Sequence, residues 1–185
     1  MKRIIIILVV LILAAVAALY FTGNLPQLAK LITPQQQKSL GDDPQCAYAW
    51  ATQPLPEVTA ELQKKLIKFE ISASEVEAAA YGENCVLADG SIDRFITMQT
   101  DLYFKVPVAD FKDQDSLGRI AEETILFVED IPKNTLPGPQ EGYIQLNFIS
   151  SAGEMQSLWF RLADGRSAID DGLEGAALFE FLMDI

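Results

Sequence analysis

The sequence predicts an α+β fold: a two-layer sandwich in which helices pack on one face of a mainly antiparallel sheet of about four strands. Three observations support this prediction. Apolar and polar residues alternate in two pairs of stretches, apolar residues recur at helical spacing before and after each pair, and turns with Gly or Pro separate the segments. The predicted order is αββαββα, in which each pair of strands forms a hairpin.

The first predicted helix covers residues 57–69. Its apolar residues share one side: Val58, Leu62, Leu66 and Phe69. Glutamates lie in its first part and lysines in its last part, as the helix dipole prefers. No regular element is predicted between residue 46 and this helix.

Residues 74–81 permit two interpretations. A capping box and three alanines suit a helix that ends at Gly82, but such a helix would bury only one large apolar side chain, Val76. A strand places the small apolar residues on one face: Val76, Ala78 and Ala80. We favour the strand, because an alternating partner follows in residues 91–108.

That partner would form the first hairpin. Its apolar residues alternate with polar ones over most of its length: Ile96, Met98, Leu102, Phe104 and Val106. Asp89-Gly90 lies between the two segments and favours a tight hairpin turn. Strands this long predict a β-bulge, and Gly82 is the expected place for it.

The second half repeats the pattern. Residues 112–131 have one apolar helical face, and a segment rich in proline and glycine follows. Residues 143–150 and 155–163 alternate around a turn at 151–153 and predict a second hairpin. Residues 171–185 predict the last helix.

The N-terminal stretch indicates where the protein is located. Lys2 and Arg3 precede an uncharged apolar run, Ile4–Phe21, which is long enough for a helix to nearly span the hydrocarbon core of a membrane. We therefore predict a transmembrane signal-anchor over residues 1–21 that leaves the N-terminus in the cytoplasm. A cleaved signal peptide is the alternative, because Ala15-Val16-Ala17 has the small-x-small pattern of a cleavage site.

The remaining chain is predicted to lie outside the cytoplasm in either case. Residues 22–45 predict a tether, and residues 46–185 predict an extracytoplasmic α+β domain. The predicted localisation is the cell membrane, crossed once with the C-terminal domain outside the cytoplasm. Secretion is the outcome if the signal peptide is cleaved.

The sequence lacks residues that several kinds of catalytic, metal-binding and phosphate-binding sites require. The chain has no histidine, which removes the common Ser-His and Cys-His arrangements and the commonest metal ligand. Glycine-rich phosphate loops and the G-x-S-x-G motif are missing from the sequence. We therefore predict no catalytic residues, no metal site and no cofactor. A net charge of −12 opposes binding to phosphate backbones, so nucleic acid is not an expected partner.

The two cysteines, Cys46 and Cys85, predict a disulfide. An even cysteine count in an exported domain favours pairing, and neither a CxxC spacing nor a neighbouring base suggests a redox site. The bond would close a loop of about 40 residues, which stabilises by roughly 4 kcal/mol in the chain-entropy model.

A possible binding surface follows from the strand pattern. Three aromatic residues alternate out of phase with the apolar stripes and would lie on the polar sheet face: Tyr103, Tyr143 and Trp159. Exposed aromatic side chains are common in surfaces that recognise a protein or a glycan. The alternative is that the tether, loops or the segment around Trp50 cover them.

The pattern "CAYAWATQPLPE…AYGENC" resembles uncharacterised membrane-anchored or secreted bacterial proteins, best over residues 46–90. The resemblance implies no activity and no functional residue. The predicted function is a non-catalytic, membrane-tethered domain that binds an envelope protein or has a structural role in the envelope. The alternative is a small-ligand or glycan-binding module that uses the aromatic residues.

Overall fold

Five strands form one mixed sheet in the computed structural model, which describes residues 45–68 and 72–185. The elements in chain order are β1 (Ala47–Pro54), α1 (Pro56–Lys68), β2 (Glu75–Val86), β3 (Ile92–Pro107), α2 (Gln114–Glu129), a 3₁₀ turn (Lys133–Thr135), β4 (Gln140–Ile149), β5 (Met155–Arg161), α3 (Leu162–Asp170) and α4 (Gly175–Met183). The strands lie side by side in chain order. Strands β3 and β4 are parallel, and the other three pairs are antiparallel.

The predicted α+β class is confirmed, but the finer description, αββαββα with four strands in two hairpins, is wrong. The described part of the chain has the order βαββαββαα. An additional strand, β1, precedes the first helix, and two helices follow β5 in place of one. Strands β3 and β4 run parallel because α2 returns the chain to the starting end of the sheet before β4 begins.

Strand β1 escaped prediction because its pattern gives no contrast between an apolar and a polar face. Alanines alternate with Tyr48, Trp50 and Thr52. One face of the strand therefore carries small side chains, and the other carries side chains that are partly apolar and partly polar. Seven of its eight residues are exposed. A strand that contributes nothing to a core lacks the periodicity by which strands are recognised.

The interpretation of residues 74–81 as a strand is confirmed. They form most of β2, and Val76, Ala78 and Ala80 are buried on one face. The pairing of β2 with β3 shifts between Tyr81 and Gly82. A side chain at Gly82 would overlap the carbonyl oxygen of Ile96, so only glycine permits this approach of the two strands.

The extra residue of this bulge lies on β3. Tyr81 pairs with Gln99 and Gly82 pairs with Thr97, which leaves Met98 without a partner across the ladder. One extra residue reverses the alternation of the strand before it. Ile96, which the alternating pattern had placed on the apolar face, is consequently 40% exposed.

The core lies between one face of β2–β5 and the helices. Two rows of paired residues cross the sheet: Val76, Phe104, Leu146 and Leu158, and beside them Ala78, Leu102, Ile144 and Phe160. Each of the four helices in the described residues buries side chains in the same cluster, including Leu62, Ile125, Ala168 and Phe179. Helices therefore cover this inner face of the sheet.

The predicted disulfide between Cys46 and Cys85 is confirmed. It joins the residue just before β1 to the far end of β2, with a Cα–Cα distance of 5.0 Å and a sequence separation of 39. Next to it, the ring of Trp50 stacks on Tyr81 with the centroids 5.4 Å apart. These contacts, together with the backbone ladder, hold β1 against β2.

The described residues contain no helix long and apolar enough to cross a membrane. The predicted anchor over residues 1–21 lies outside the described residues. The same is true of the predicted tether over residues 22–45, except for Gln45.

Candidate binding surface

The face of the sheet opposite the core, here called the outer face, holds the three aromatic residues singled out from the sequence. One row of paired residues across it consists of Glu77, Tyr103, Gln145 and Trp159. Trp159 is 56% exposed, and Tyr103 and Tyr143 are half-buried. All three point away from the core, as their spacing predicted.

Two of the three aromatic residues are in direct contact and, with Arg161, form what we call the aromatic cluster. The rings of Tyr143 and Trp159 meet edge to face with their centroids 5.5 Å apart. Arg161 donates from Nε to the Tyr143 hydroxyl at 2.9 Å, and its guanidinium carbon lies 5.4 Å from the centroid of that ring. The hydrogen bond to Tyr143 raises the pKa of Arg161 above its already high ordinary value, so this cation is permanent.

Tyr103 is on the same face but stands apart from the cluster. Gln145 lies between Tyr103 and Trp159, which puts their backbones two strand spacings, about 10 Å, apart. Burial, and then the charge of Asp101, raises the pKa of the Tyr103 hydroxyl. The phenol is therefore neutral at physiological pH and remains able to donate a hydrogen bond.

Asp101 is a positioning residue that the sequence pattern did not reveal. The β3–β4 pairing is irregular between Thr100 and Leu102, and Asp101 is 6% exposed. Its Oδ1 accepts from the backbone N–H of Tyr143 at 2.9 Å and from Gln99 Nε2 at 2.7 Å. The carboxylate thus takes the place of a backbone acceptor and fixes the strand at Tyr143. The one polar gap in the apolar stripe of β3, Thr100, was the available indication of this irregularity.

A row of polar side chains adjoins the aromatic cluster. Asn147 Oδ1 accepts from Gln145 Nε2 at 2.9 Å and from Ser157 Oγ at 2.7 Å. Further along the same face, Lys105 forms an ion pair with Glu75 at 2.8 Å. The outer face therefore combines exposed rings with hydrogen-bonding groups that are already fixed by their neighbours, a composition typical of recognition surfaces.

A second aromatic pair, Trp50 on Tyr81, lies at the β1 end of the outer face. Trp50 is 62% exposed and Tyr48, two residues before it, is 55% exposed. In the sequence, Trp50 belongs to the segment that covers the three aromatic residues in the alternative interpretation. In the structure its ring instead lies on the outer face beside Tyr81, and among the described residues Trp159 of the aromatic cluster stays 56% exposed.

A cavity of about 310 Å³ lies on the other side of the sheet, next to the core. Its walls are mainly apolar, from Leu102, Ile144 and Leu162 among others, and Arg166 stands among its lining residues. Arg166 binds both oxygens of Glu141, at 3.1 and 2.6 Å, and Glu129 at 2.8 Å. Its hydrogen bond lowers the pKa of Glu141. Arg166 thereby ties α3 to Glu129 of α2 and to Glu141 of β4.

Residues 45–68 and 72–185 contain no group of three or more His, Cys, Asp or Glu side chains arranged to hold a metal ion. Cys46 and Cys85 are joined to each other, so neither offers a thiol. The arrangement on the outer face offers a partner aromatic rings, amides and one guanidinium.

No protein-family model, no curated protein and no solved structure matches the chain. The resemblance of its "CAYAW…AYGENC" pattern to membrane-anchored or secreted bacterial proteins stays a prediction. The interpretation of the surface depends on its geometry alone.

Proposed function

We propose that residues 46–185 form a non-catalytic domain, tethered to the outside of the cell membrane, that binds another envelope protein through the outer face. The observation that carries this proposal is the aromatic cluster. Trp, Tyr and Arg are the residue types most enriched among those that dominate the energy of protein interfaces. Here Tyr143 contacts both Trp159 and Arg161 on a sheet face that leaves Trp159 more than half exposed.

Tyr143, at the centre of the cluster, is held in place by hydrogen bonds, which favours binding. Tyr143 is fixed at its backbone by Asp101 and at its hydroxyl by Arg161. A side chain that is already ordered loses little conformational entropy when a partner arrives. Aromatic rings give a large contact area for few rotatable bonds, so this cluster can contribute strongly to affinity.

The proposed location has two supports. The apolar run Ile4–Phe21 follows two basic residues, as in a signal-anchor. The Cys46–Cys85 bond belongs to the type of link that persists in oxidising compartments outside the cytoplasm. Tethering would restrict the domain to partners near the membrane surface.

A photo-crosslinking residue introduced at Ser157, beside Trp159 on the outer face, tests the proposal in intact membranes with the full chain. We expect one envelope protein to be crosslinked, and its yield to fall at least tenfold when Trp159→Ala is added. The matched control is Leu126→Ala, because Leu126 on α2 is 53% exposed and remote from this face in the fold. A yield that is unchanged by Trp159→Ala, or reduced equally by Leu126→Ala, would contradict the proposal.

The alternative is a glycan-binding module on the same face. It is favoured by the amide row beside the cluster, because Gln145 and Asn147 carry the donors and acceptors that pair with sugar hydroxyls, next to a ring on which a sugar can stack. Under this alternative, the purified full chain gains thermal stability with soluble envelope oligosaccharides, and Trp159→Ala abolishes the gain. Such a result without a crosslinked protein would replace the first proposal by the second.

A further inference from the structure

Strand β1 forms one edge of the sheet and contributes no side chain to the core. Its neighbour on one side is β2, and the strand order of the described residues places nothing on its other side. Trp50 and Tyr48 are more than half exposed, and no β1 residue is buried. The outward N–H and C=O groups of such an edge are a template for another strand.

The strand is nevertheless held firmly in place. All eight residues pair with β2 without a register shift, the Cys46–Cys85 bond closes one end, and the ring of Trp50 stacks on Tyr81. Burial cannot explain this strand, because it buries nothing. What it adds to the molecule is an ordered edge whose pairing with β2 is regular.

The sheet edge formed by β1 carries no charged side chain, whereas the edge of β2 that β1 covers does. Strand β1 reads AYAWATQP, and the β2 segment that it covers, residues 79–86, contains Glu83 opposite Trp50. The opposite edge, β5, ends in Arg161 and passes directly into α3. Charges on an edge prevent pairing between molecules. Strand β1 thus replaces an edge that carries Glu83 with one that carries no charge.

Charge limits where two copies of the chain can meet. Residues 45–185 contain 24 Asp or Glu and 10 Lys or Arg, so two copies repel each other over most of their surfaces. At β1 they can meet without facing like charges. The β2 strands of two copies joined edge to edge would lie three strand spacings, about 14 Å, apart. That exceeds the Debye length of about 8 Å at physiological ionic strength, so their glutamates would be largely screened.

We propose that β1 is a self-association edge, at which two copies of this chain pair antiparallel, β1 to β1, and form a continuous ten-stranded sheet. An antiparallel pair of identical strands is self-complementary about a two-fold axis. If the axis stands perpendicular to the sheet, both outer faces lie on the same side. Tyr48, Trp50 and Thr52 of each copy would then meet those of the other across the new ladder. The proposal does not depend on the partner of the aromatic cluster.

The first test measures the molar mass of the full chain in detergent micelles, with Ala49→Lys against Ser157→Lys. Both changes reduce the net negative charge by one, but only the first adds a charge to β1. We expect the unaltered chain and Ser157→Lys to dimerise equally, and Ala49→Lys to weaken dimerisation at least tenfold. Ala49 is exposed, so the lysine need not unfold the domain, and a melting curve checks this. A monomeric unaltered chain, or equal dimers of both variants, would overturn the proposal.

Salt gives an independent readout. Screening weakens the repulsion between two acidic copies, so dimerisation should strengthen when the salt concentration is raised from about 0.01 to 0.15 M. Dimerisation that weakens over this range would contradict the proposal.

A second test locates the contact through a photo-crosslinking residue at Tyr48 in intact membranes. Crosslinked peptides that join β1 to β1 of another copy support the proposal. Crosslinks to residues 1–44, or to another protein, would overturn it. Neither result would affect the proposed function, whose crosslink at Ser157 is measured separately.

Discussion

The two ends of the sheet are held by different physical means. At the β4–β5 end, Phe148, Leu158 and Phe160 are 0–1% exposed and belong to one core with all four helices. At the β1 end no strand residue is buried, and the strand is held by its ladder, one ring stack and one covalent bond. One sheet thus combines an end stabilised by burial with an end stabilised by covalent linkage.

This difference separates the roles of the two ends. Burial makes the β4–β5 end the rigid support on which the aromatic cluster is displayed. The disulfide allows the β1 end to remain ordered while its side chains and its edge stay available. Mutations at the two ends should therefore lower the free energy of unfolding by different amounts. They should also differ in how much of the sheet loses protection from hydrogen exchange.

The largest effect is expected from Phe160→Ala, compared with Trp159→Ala one residue before it. Phe160 is 1% exposed and Trp159 is 56% exposed on the opposite face of β5. Truncating a buried Phe removes its transfer free energy and leaves a cavity, so the free energy of unfolding should fall by about 3–5 kcal/mol. Trp159→Ala should cost no more than about 1 kcal/mol, since it loses one edge-to-face contact. Chemical denaturation measures the free energy of unfolding of both variants. Equal losses would contradict the view that only the inner face of β5 contributes strongly to stability.

The second effect is expected from the double variant Cys46→Ala with Cys85→Ala. Removing the link restores the freedom of a 39-residue separation in the unfolded chain, and the free energy of unfolding should fall by about 2–4 kcal/mol. Hydrogen exchange should show that amides of β1 lose protection before those of β4 and β5. Simultaneous loss at both ends would mean that β1 is part of the global folding unit and that the comparison fails.

The smallest effect concerns the ion pair of Arg166 with Glu141 at the β4–β5 end. Arg166 lowers the pKa of Glu141 in the folded state, so the pair stabilises the fold above the unfolded pKa of about 4.3. This contribution is lost as the pH falls through the lowered folded pKa. The Glu141 side chain is 39% exposed, so screening limits the contribution to about 0.3–1 kcal/mol.

Glu141→Gln should therefore cost that amount at pH 7 and flatten the acid limb of a stability–pH curve. Glu61→Gln, which breaks the exposed Glu61–Lys65 pair on α1, is the control and should leave this limb nearly unchanged. If Glu141→Gln changes neither the free energy of unfolding at pH 7 nor the acid limb of the curve, the ion pair between β4 and α3 does not contribute to stability.

Sequence reasoning succeeded where burial imposed a period. Alternation placed Leu102, Phe104 and Val106 on the core face of β3, and it placed Tyr103 and Trp159 on the other face. The cysteine pair was predicted from number and compartment alone. Each of these predictions uses information in the sequence itself, without knowledge of how the strands are paired.

It failed where the deciding contact was not local. Apolar and polar residues alternate in the same way in parallel and antiparallel strands, so the parallel pairing of β3 and β4 could not be predicted from their residues. Met98 looked apolar and in phase, yet it is the extra residue of the bulge opposite Gly82. Asp101 looked like an ordinary polar-face residue, and its role follows only from the position of Tyr143 on the next strand.

The position of the disulfide also determines how the domain responds to mechanical load. A force applied to the chain before Cys46 enters the domain one residue ahead of β1 and passes through the sulfur–sulfur bond to Cys85. The intervening residues, including β1 and α1, are bypassed and cannot be stretched while the bond is intact. At about 3.3–3.6 Å per extended residue, the bond conceals roughly 130–140 Å of contour length. Any pull from the N-terminal side therefore bears on β2 in the interior of the sheet, while the exposed edge strand carries no load.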